Sequence, residues 1–312
     1  MTAFLILLLF LLFYLLGKSA DFLVLQIRFF GERFGIPLSF LGIILGLLTS
    51  IPELSIGVNA LVENAVAISI GNLFGGVIVL FGLIYGGGII LNRKTKTDGR
   101  LWHIIPFFLY ILLALIFGLT GVINEIEGSI LIIGYFVIIF FLYIKGEKKQ
   151  SIHHHKKTPI PFAKSIFITL FGVAGIIIIS KIIILLSLEL IKELHLPEFL
   201  VGLLIFSIGT NLPEIIVTFR SWRRHIKELS VANIYGSAIA NIFAVGLLAF
   251  LHPIYINVGA SYYIIMASFL VLFISTMFFY KSEKKITQKE GVVLVSIYVL
   301  SILSELLVFT IT

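Results

Sequence analysis

Long apolar runs broken by short polar stretches recur along the whole chain, near residues 3–26, 37–62, 66–91, 102–120, 127–145, 163–188, 197–219, 229–251, 260–280 and 288–310. Each has the roughly 20 residues that a helix needs to cross a hydrocarbon core about 30 Å thick. In lipid the backbone must satisfy its own hydrogen bonds, so such runs form helices. The pattern predicts an all-α polytopic membrane protein of ten transmembrane helices, with almost no sequence left over for a soluble domain. Composition agrees: of 312 residues 59% are hydrophobic and 12% charged, and the mean hydropathy is +1.14, well outside the range of soluble domains. The first run has no basic flank and no small-residue cleavage site, so it is expected to be retained as span 1 rather than removed as a signal peptide.

The net charge of +7 is explained by topology. The connections after the odd spans hold Arg28 and Arg33; Arg93, Lys94, Lys96 and Arg100; Lys145, Lys148, Lys149, Lys156, Lys157 and Lys164; Arg220, Arg223, Arg224 and Lys227; and Lys281, Lys284, Lys285 and Lys289, which is 20 of the 23 Lys and Arg. The connections after the even spans hold only Lys192, with Glu125 and Glu127 in one of them. By the positive-inside rule the odd connections are cytoplasmic and both termini lie outside. The expected location is the cell (plasma) membrane, with the lipid bilayer and inorganic cations as partners, no nucleic acid and no obligatory protein partner. Cysteine is absent, which removes disulfide frameworks and thiolate metal sites.

The longest connection, "KGEKKQSIHHHKKTPIP", separates five spans from five. It divides the chain into a first half, 1–145, a cytoplasmic linker, 146–162, and a second half, 163–312. His-rich tracts sometimes bind transition metals, but no acidic or further His ligand lies near His153, His154 and His155, and a solvated polar linker is expected.

The halves are related. Sliding the second back by 161 positions aligns "LLTSIPELSIGVNA" with "SIGTNLPEIIVTFR", pairing Thr49 with Thr210, Ser50 with Asn211, Pro52 with Pro213 and Glu53 with Glu214. At the same offset "ISIGNLFGGVIVLFG" meets "LSVANIYGSAIANIF", pairing Asn72 with Asn233 and Gly75 with Gly236. Moving five spans along an alternating chain reverses its direction through the membrane, so the repeats are inverted. Inverted repeats with broken helices at the bilayer midplane are a recurring plan of secondary transporters, with the substrate at the repeat interface.

Pro52 lacks an N–H and frees the carbonyl of residue 48; Pro213 does the same for Gly209. Unpartnered carbonyls at membrane depth are tolerated where they face protein or a polar cavity. Each block therefore offers backbone oxygen, Thr oxygen, Ser or Asn oxygen and one carboxylate, a set of hard donors suited to Na⁺ or Ca²⁺. Two midplane carboxylates repel each other, so either one is protonated or both hold a cation. A central charge costs roughly 2.5–3.5 kcal/mol on insertion scales; a duplicated pair implies a role beyond helix kinking. In span 8, Asn233, Ser237 and Asn241 share one helical face; its counterpart in span 3 is Asn72, Gly76 and Leu80. Gly71 and Gly75 form a small-xxx-small pair expected to allow close helix packing. Lys18, Asp21, Lys181, Glu189 and Glu305 are expected to be structural, the last two near water at span ends.

"GLLTSIPE" with "ISIGNLFGG", and "SIGTNLPE" with "VANIYGSAIANIF", resemble the two alpha repeats of the sodium/calcium exchanger family, in the calcium:cation antiporter superfamily, and the chain is similar to its prokaryotic ten-span members. The resemblance implies that Glu53 and Glu214 are the central carboxylates of a Ca²⁺ site, assisted by oxygens at Thr49 and Thr210. It makes Ser50, Asn211, Ser237 and Asn241, sharing the two glutamates, candidates for adjoining Na⁺ sites. It implies exchange of Na⁺ for Ca²⁺ by alternating access, with spans 1 and 6 sliding against the other eight. The chain departs from the pattern at Asn241, where the family often has Asp, at Leu80, where it has Asn or Asp, at Gly76, often Ser, and at Asn211, in place of the Ser of the second T-S-L-P-E.

The expectation is thus a Ca²⁺/Na⁺ antiporter, with a cation/proton exchanger as the alternative because the departures remove charge and side-chain oxygen. The proton-coupled relatives usually show a G-N-x-x-E element, absent here. No enzyme is expected: H-E-x-x-H and G-x-S-x-G are missing and no His lies in the two repeat blocks to activate Ser50. No cofactor is expected beyond the transported Ca²⁺ and Na⁺, or H⁺. The cytoplasmic connections are too short for a calcium-sensing domain.

Overall fold

The computed structural model describes residues 4–19, 46–92, 94–97, 99–145, 162–212, 214–215, 218–219, 227–282 and 285–311. Pro213, Asp21, His153, His154 and His155 with the rest of 146–161, and the basic residues Arg28, Arg33, Arg93, Lys148, Lys149, Lys156, Lys157, Arg220, Arg223, Arg224 and Lys284 lie outside the described residues.

Helices dominate the described chain. They are α1 (Phe4–Ser19); α2 (Ile51–Val62); α3 (Val66–Asn92); α4 (Ile105–Gly118); α5 (Glu125–Lys145); α6 (Phe162–Leu194); α7 (Glu198–Thr210); α8 (Lys227–Leu251); α9 (Ala260–Lys281); and α10 (Gln288–Ile311). Among the described residues, five stretches are long and apolar enough to cross a membrane, namely α3, the parts Leu170–Leu194 of α6 and Ser230–Leu251 of α8, α9, and Gln288–Thr310 of α10. Most helix ends fall within a few residues of the apolar runs, but α2 starts at Ile51, well inside the run 37–62, and α7 ends at Thr210, inside the run 197–219. The helix α6 instead continues past its run to Leu194, because "SLELIKEL" keeps good helix formers after the apolar run ends.

Two helices carry interruptions that hydropathy does not reveal. In α3, Val79–Tyr85 is wound as a π-helix, and in α7 Gly202–Phe206 does the same. Wider winding of this kind is frequent at functional sites. Ahead of α2, a single helical turn at 46–49 ends in a turn at Ser50, and the helix restarts with Pro52 in its first two positions, where a missing N–H costs no hydrogen bond. The link from α2 to α3 is short because Asn64 adopts φ +57°, the left-handed region that Asn tolerates better than most residues.

Two short antiparallel ribbons join distant connections. β1 (Lys94–Lys96) pairs with β4 (Lys285–Thr287), and β2 (Val122–Ile123) pairs with β3 (Ile254–Tyr255). The first ties the α3–α4 link to the α9–α10 link, the second the α4–α5 link to the α8–α9 link.

Packing divides into two clusters. The larger joins α3, α4, α5, α7, α8, α9 and α10, with Phe81, Phe108, Tyr235, Phe269 and Ile242 among its buried members; Phe108 stacks on Phe273 at 4.6 Å and Phe81 meets Tyr235 edge-on at 5.2 Å. The smaller joins α1 and α6 to parts of α2 and α7 through Leu9, Phe13, Ile56, Ile176, Ile183 and Phe206. The inner helices are α3 and α8, mostly buried, whereas α9 and α10 expose most of their apolar surface, as helices facing lipid do.

Candidate functional site

Two close backbone crossings place the repeat blocks. At the first, Gly46 lies so near α8 that a Cβ there would sit 2.5 Å from the Gly236 carbonyl carbon. At the second, a Cβ on Gly202 would sit 2.1 Å from the Ile68 carbonyl oxygen and 3.0 Å from the Asn72 amide nitrogen. Gly71 and Gly75 face the same crossing, against Phe199 and Leu203 of α7, which agrees with the packing role expected of them. These contacts bring the turn at 46–50 onto α8, and α7 onto α3.

Where they meet, Thr49, Ser50, Glu53, Asn72, Thr210, Asn211, Glu214, Asn233, Ser237 and Asn241 are all buried. The Ser237 hydroxyl is the hub on one side. It lies 3.1 Å from Glu214 Oε1, 3.2 Å from Thr49 Oγ1 and 3.3 Å from the Gly46 carbonyl oxygen; Thr49 itself donates to that carbonyl at 3.1 Å. On the other side, the Thr210 hydroxyl reaches the Asn72 Oδ1 at 3.1 Å and the Phe206 carbonyl at 2.9 Å. Thr210 also lies beside the Glu53 carboxylate, and Thr49 beside that of Glu214. Each threonine thus faces the glutamate of the other repeat block. The two carboxylates interact electrostatically.

The arrangement is not symmetric. Gly76 stands where Ser237 has its hydroxyl, so Thr210 turns to Asn72 instead. The space left by Gly76 is met by two amide groups: a Cβ there would lie 2.6 Å from Asn241 Nδ2 and 3.2 Å from Asn211 Nδ2. Asn211 Nδ2 donates to the Ser207 carbonyl at 2.7 Å and Asn241 Nδ2 approaches the Leu73 carbonyl at 3.5 Å. Leu80 is fully buried, in the π-helical part of α3.

What remains unsatisfied is chemically informative. Both oxygens of Glu53, Glu214 Oε2, Ser50 Oγ, Asn211 Oδ1, Asn233 Oδ1 and Asn241 Oδ1 are buried without a hydrogen-bond partner in the protein. A buried polar atom without a partner ordinarily costs about 1–3 kcal/mol, so seven such oxygens in the same group of side chains form a donor set for something that is not protein. The amide nitrogens Asn72 Nδ2 and Asn233 Nδ2 are also unpartnered, but the seven oxygens are hard donors, and two carboxylates supply the negative charge: this is the chemistry that Ca²⁺ or Na⁺ requires. Among the described residues no group of three or more His, Cys, Asp or Glu exists, so a cation here would be completed by neutral oxygen. Beside Ser50 a cavity of about 250 Å³ opens between the turn and α8, walled by Leu47, Leu48, Ile51, Leu54, Ala240, Phe243 and Ala244.

The structure brings together Glu53, Glu214, Thr49, Thr210, Ser237, Asn241 and Asn211, and sets Ser50 at the adjoining cavity; Pro213 is outside the described residues. Sequence reasoning gave Asn72 a place on a helix face and no partner, and it did not foresee the Gly46 carbonyl. The signal for Asn72 was present in its match with Asn233. Glu305 is a correction. It was expected near water at a span end; it is 1% exposed, because α3, α7 and α9 close over it. Lys18 instead lies 5.4 Å over the Tyr14 ring, an ordinary cation–π contact.

Replacing Ser237 with Ala removes the hydroxyl shared by Thr49, Glu214 and Gly46. The expected result is a loss of about 1–2 kcal/mol in ion binding, read as a roughly tenfold rise in the apparent ion dissociation constant by calorimetric titration, with the fold retained.

The profile of the sodium/calcium exchanger protein family matches residues 4–144 and 164–307. Among curated proteins, the sodium/calcium exchanger MaX1 of Methanosarcina acetivorans is 28% identical, over 95% of this chain and 96% of that protein. An uncharacterized membrane protein of Methanocaldococcus jannaschii is 25% identical, over 93% and 94%. Among solved structures, the sodium-calcium exchanger NCX_Mj, soaked with Na⁺ and Sr²⁺, superposes with a TM-score of 0.70 at 22% identity, covering 96% of this chain and 98% of that one. The H⁺/Ca²⁺ exchanger CAX reaches a TM-score of 0.74 at 18% identity, covering 94% and 80%; at these identities the two likenesses speak for the fold. With two matched segments that together span most of its length, the chain belongs to the sodium/calcium exchanger protein family, a family of membrane cation exchangers and not of enzymes.

Proposed function

We propose that this protein is a secondary active antiporter that exchanges Ca²⁺ for Na⁺ by alternating access, the two ions competing for one midplane site built on Glu53 and Glu214. The observation that carries the reading is the set of unpartnered buried oxygens: Glu53 with both, Glu214 with one, and neutral oxygens of Ser50, Asn211 and Asn241 beside them. Thr49 lies beside the Glu214 carboxylate and Thr210 beside that of Glu53, and Pro52 and Pro213 end the helical hydrogen bonding that would otherwise occupy nearby carbonyls. Two carboxylates share one low-dielectric region, so a divalent cation balances them fully. When Na⁺ takes its place, more than one ion is needed for the same charge. Exchange follows from that mutual exclusion.

The reading includes ten spans in two inverted repeats, 1–145 and 163–312, both termini outside and a cell-membrane location. The helix register supports it: carried forward by the same 161 positions, α3, α4 and α5 overlie α8, α9 and α10, β1 reaches Tyr255 of β3, and β2 arrives just before β4. The helices α1 and α6 pack in the smaller cluster, against parts of α2 and α7 and apart from the larger core, which supports these two helices as the moving pair, and the cavity at Ser50 supplies an approach for the ion.

A second reading, exchange of Ca²⁺ or another divalent cation for H⁺, draws on the Asn241 and Asn211 amide nitrogens that converge on Gly76. Donor groups there repel a second Na⁺. The deciding experiment measures Ca²⁺ uptake into proteoliposomes with Na⁺ and pH gradients imposed independently. Na⁺/Ca²⁺ exchange predicts uptake driven by an outward Na⁺ gradient at equal pH. Uptake that follows the pH gradient alone overturns the Na⁺ reading in favour of H⁺.

A further inference from the structure

Glu305 is not part of the Glu53–Glu214 group, and among the described residues it is the one carboxylate in the lining of its cavity. It lines a small, partly open cavity of about 10 Å³, room for about one water. Side-chain oxygen reaches this lining from Glu305, Ser301 and Tyr298; α3 adds Gly75 and Ile78, α7 adds Leu203, and α9 adds Ile264 and Ile265. Among the described residues of the lining, the phenol of Tyr298 is therefore the only other titratable group, and none comes from α3, α7 or α9. Both Glu305 oxygens are buried without a hydrogen-bond partner; the Ser261 hydroxyl lies beside the carboxylate without completing one. Ser301 is engaged with Ser268.

We propose that Glu305 with its one-water cavity is a second intramembrane ion site, one that binds a proton. The donor count decides the occupant. Ca²⁺ takes six to eight oxygens, whereas the lining supplies four side-chain oxygens, one of them already bonded to Ser268, and Ser261 beside the carboxylate brings the total to five. A metal cation is therefore under-coordinated, whereas a proton needs a single carboxylate oxygen and an apolar surround that disfavours the bare charge. The site abuts the α3–α7 crossing through Gly75 and Leu203, which a Gly75 Cβ would meet at 2.7 Å. Ionising Glu305 draws water to that crossing, and α7 carries Thr210 toward the exchange site; flux then depends on pH through Glu305 whichever ion is exchanged against Ca²⁺.

The test is labelling of the purified full-length protein with a hydrophobic carbodiimide, which modifies protonated carboxyl groups, in saturating Ca²⁺ across a pH series, with the modified residue located by peptide mass spectrometry. The expected result is label on Glu305 that falls as pH rises, and a Ca²⁺ flux in the Glu305→Gln variant that varies at least about threefold less across the same series. Absence of label on Glu305 at every pH overturns the proposal, as does label suppressed by Na⁺ at constant pH, which would make it a sodium site. The wild-type labelling stands even if Glu305→Gln fails to fold. Ca²⁺ titration of the same samples reports on the Glu53–Glu214 site separately.

Discussion

Glu53→Gln and Glu214→Gln are each expected to abolish measurable Ca²⁺ exchange. The glutamine keeps the shape and removes the charge, so the partner glutamate no longer has a matched carboxylate across a bound divalent ion. Removing one member of a buried charged group ordinarily costs about 3–5 kcal/mol, which at about 1.4 kcal/mol per tenfold is a roughly hundred- to several-thousand-fold weakening of Ca²⁺ binding. The loss is separable from misfolding. Neither Glu53 oxygen makes a hydrogen bond within the protein, so without Ca²⁺ the variant is expected to unfold close to the parent. What disappears is the stabilisation by ligand, about 2.7 kcal/mol at a hundredfold excess over the dissociation constant. Thermal unfolding with and without Ca²⁺ checks both halves, and a variant that keeps full flux or the full Ca²⁺-dependent shift refutes the assignment.

Gly202→Ala has the second large effect, and through backbone rather than charge. Its added methyl would lie 2.1 Å from the Ile68 carbonyl oxygen and 2.9 Å from its carbon, and neither can rotate away as a side chain does. Extra volume in a packed interior costs typically 1–3 kcal/mol; with two backbones in direct approach the expected loss is at the top of that range or above, about 3 kcal/mol or more. Relaxation parts α7 from α3, which lengthens the 3.1 Å bond between Thr210 and Asn72 and lowers flux in whatever protein folds. Gly87→Ala is the matched control, since a Cβ there meets nothing within 4 Å, and alanine in a helix is favoured by up to about 1 kcal/mol over glycine. Size-exclusion profiles and thermal unfolding in detergent distinguish the two; equal stability of both variants refutes the close crossing.

Much of this architecture is legible in one chain because membrane helices answer to local rules. Hydropathy located most helix ends to within a few residues; it missed the breaks in the two repeat blocks, where α2 starts at Ile51 and α7 ends at Thr210, and the polar but helix-favouring tail that extends α6. Both glutamates and both threonines could be singled out because duplication at a fixed offset is a sequence property, and Ser237 because it shares a helical face with Asn233 and Asn241. The π-helical windings at Val79–Tyr85 and Gly202–Phe206 could not, since neither stretch contains a proline or a polar residue to mark it. Glu305 misled for a related reason: distance from a helix end measures depth along one helix, while burial depends on which neighbours close over that face.

By itself, the sequence determined the membrane class, the paired T-S/N-x-P-E blocks and the two carboxylates, because apolar length, proline and charge act on the residues that carry them. Tertiary structure decided that each threonine faces the glutamate of the other block, that Ser237 bridges Thr49 and Glu214 while Gly76 leaves its side to two amides, and that Glu305 is enclosed. Those pairings join residues up to 188 positions apart. They depend on the angle and closeness of two helix crossings, which the contacts at Gly46 and Gly202 set and no local pattern encodes.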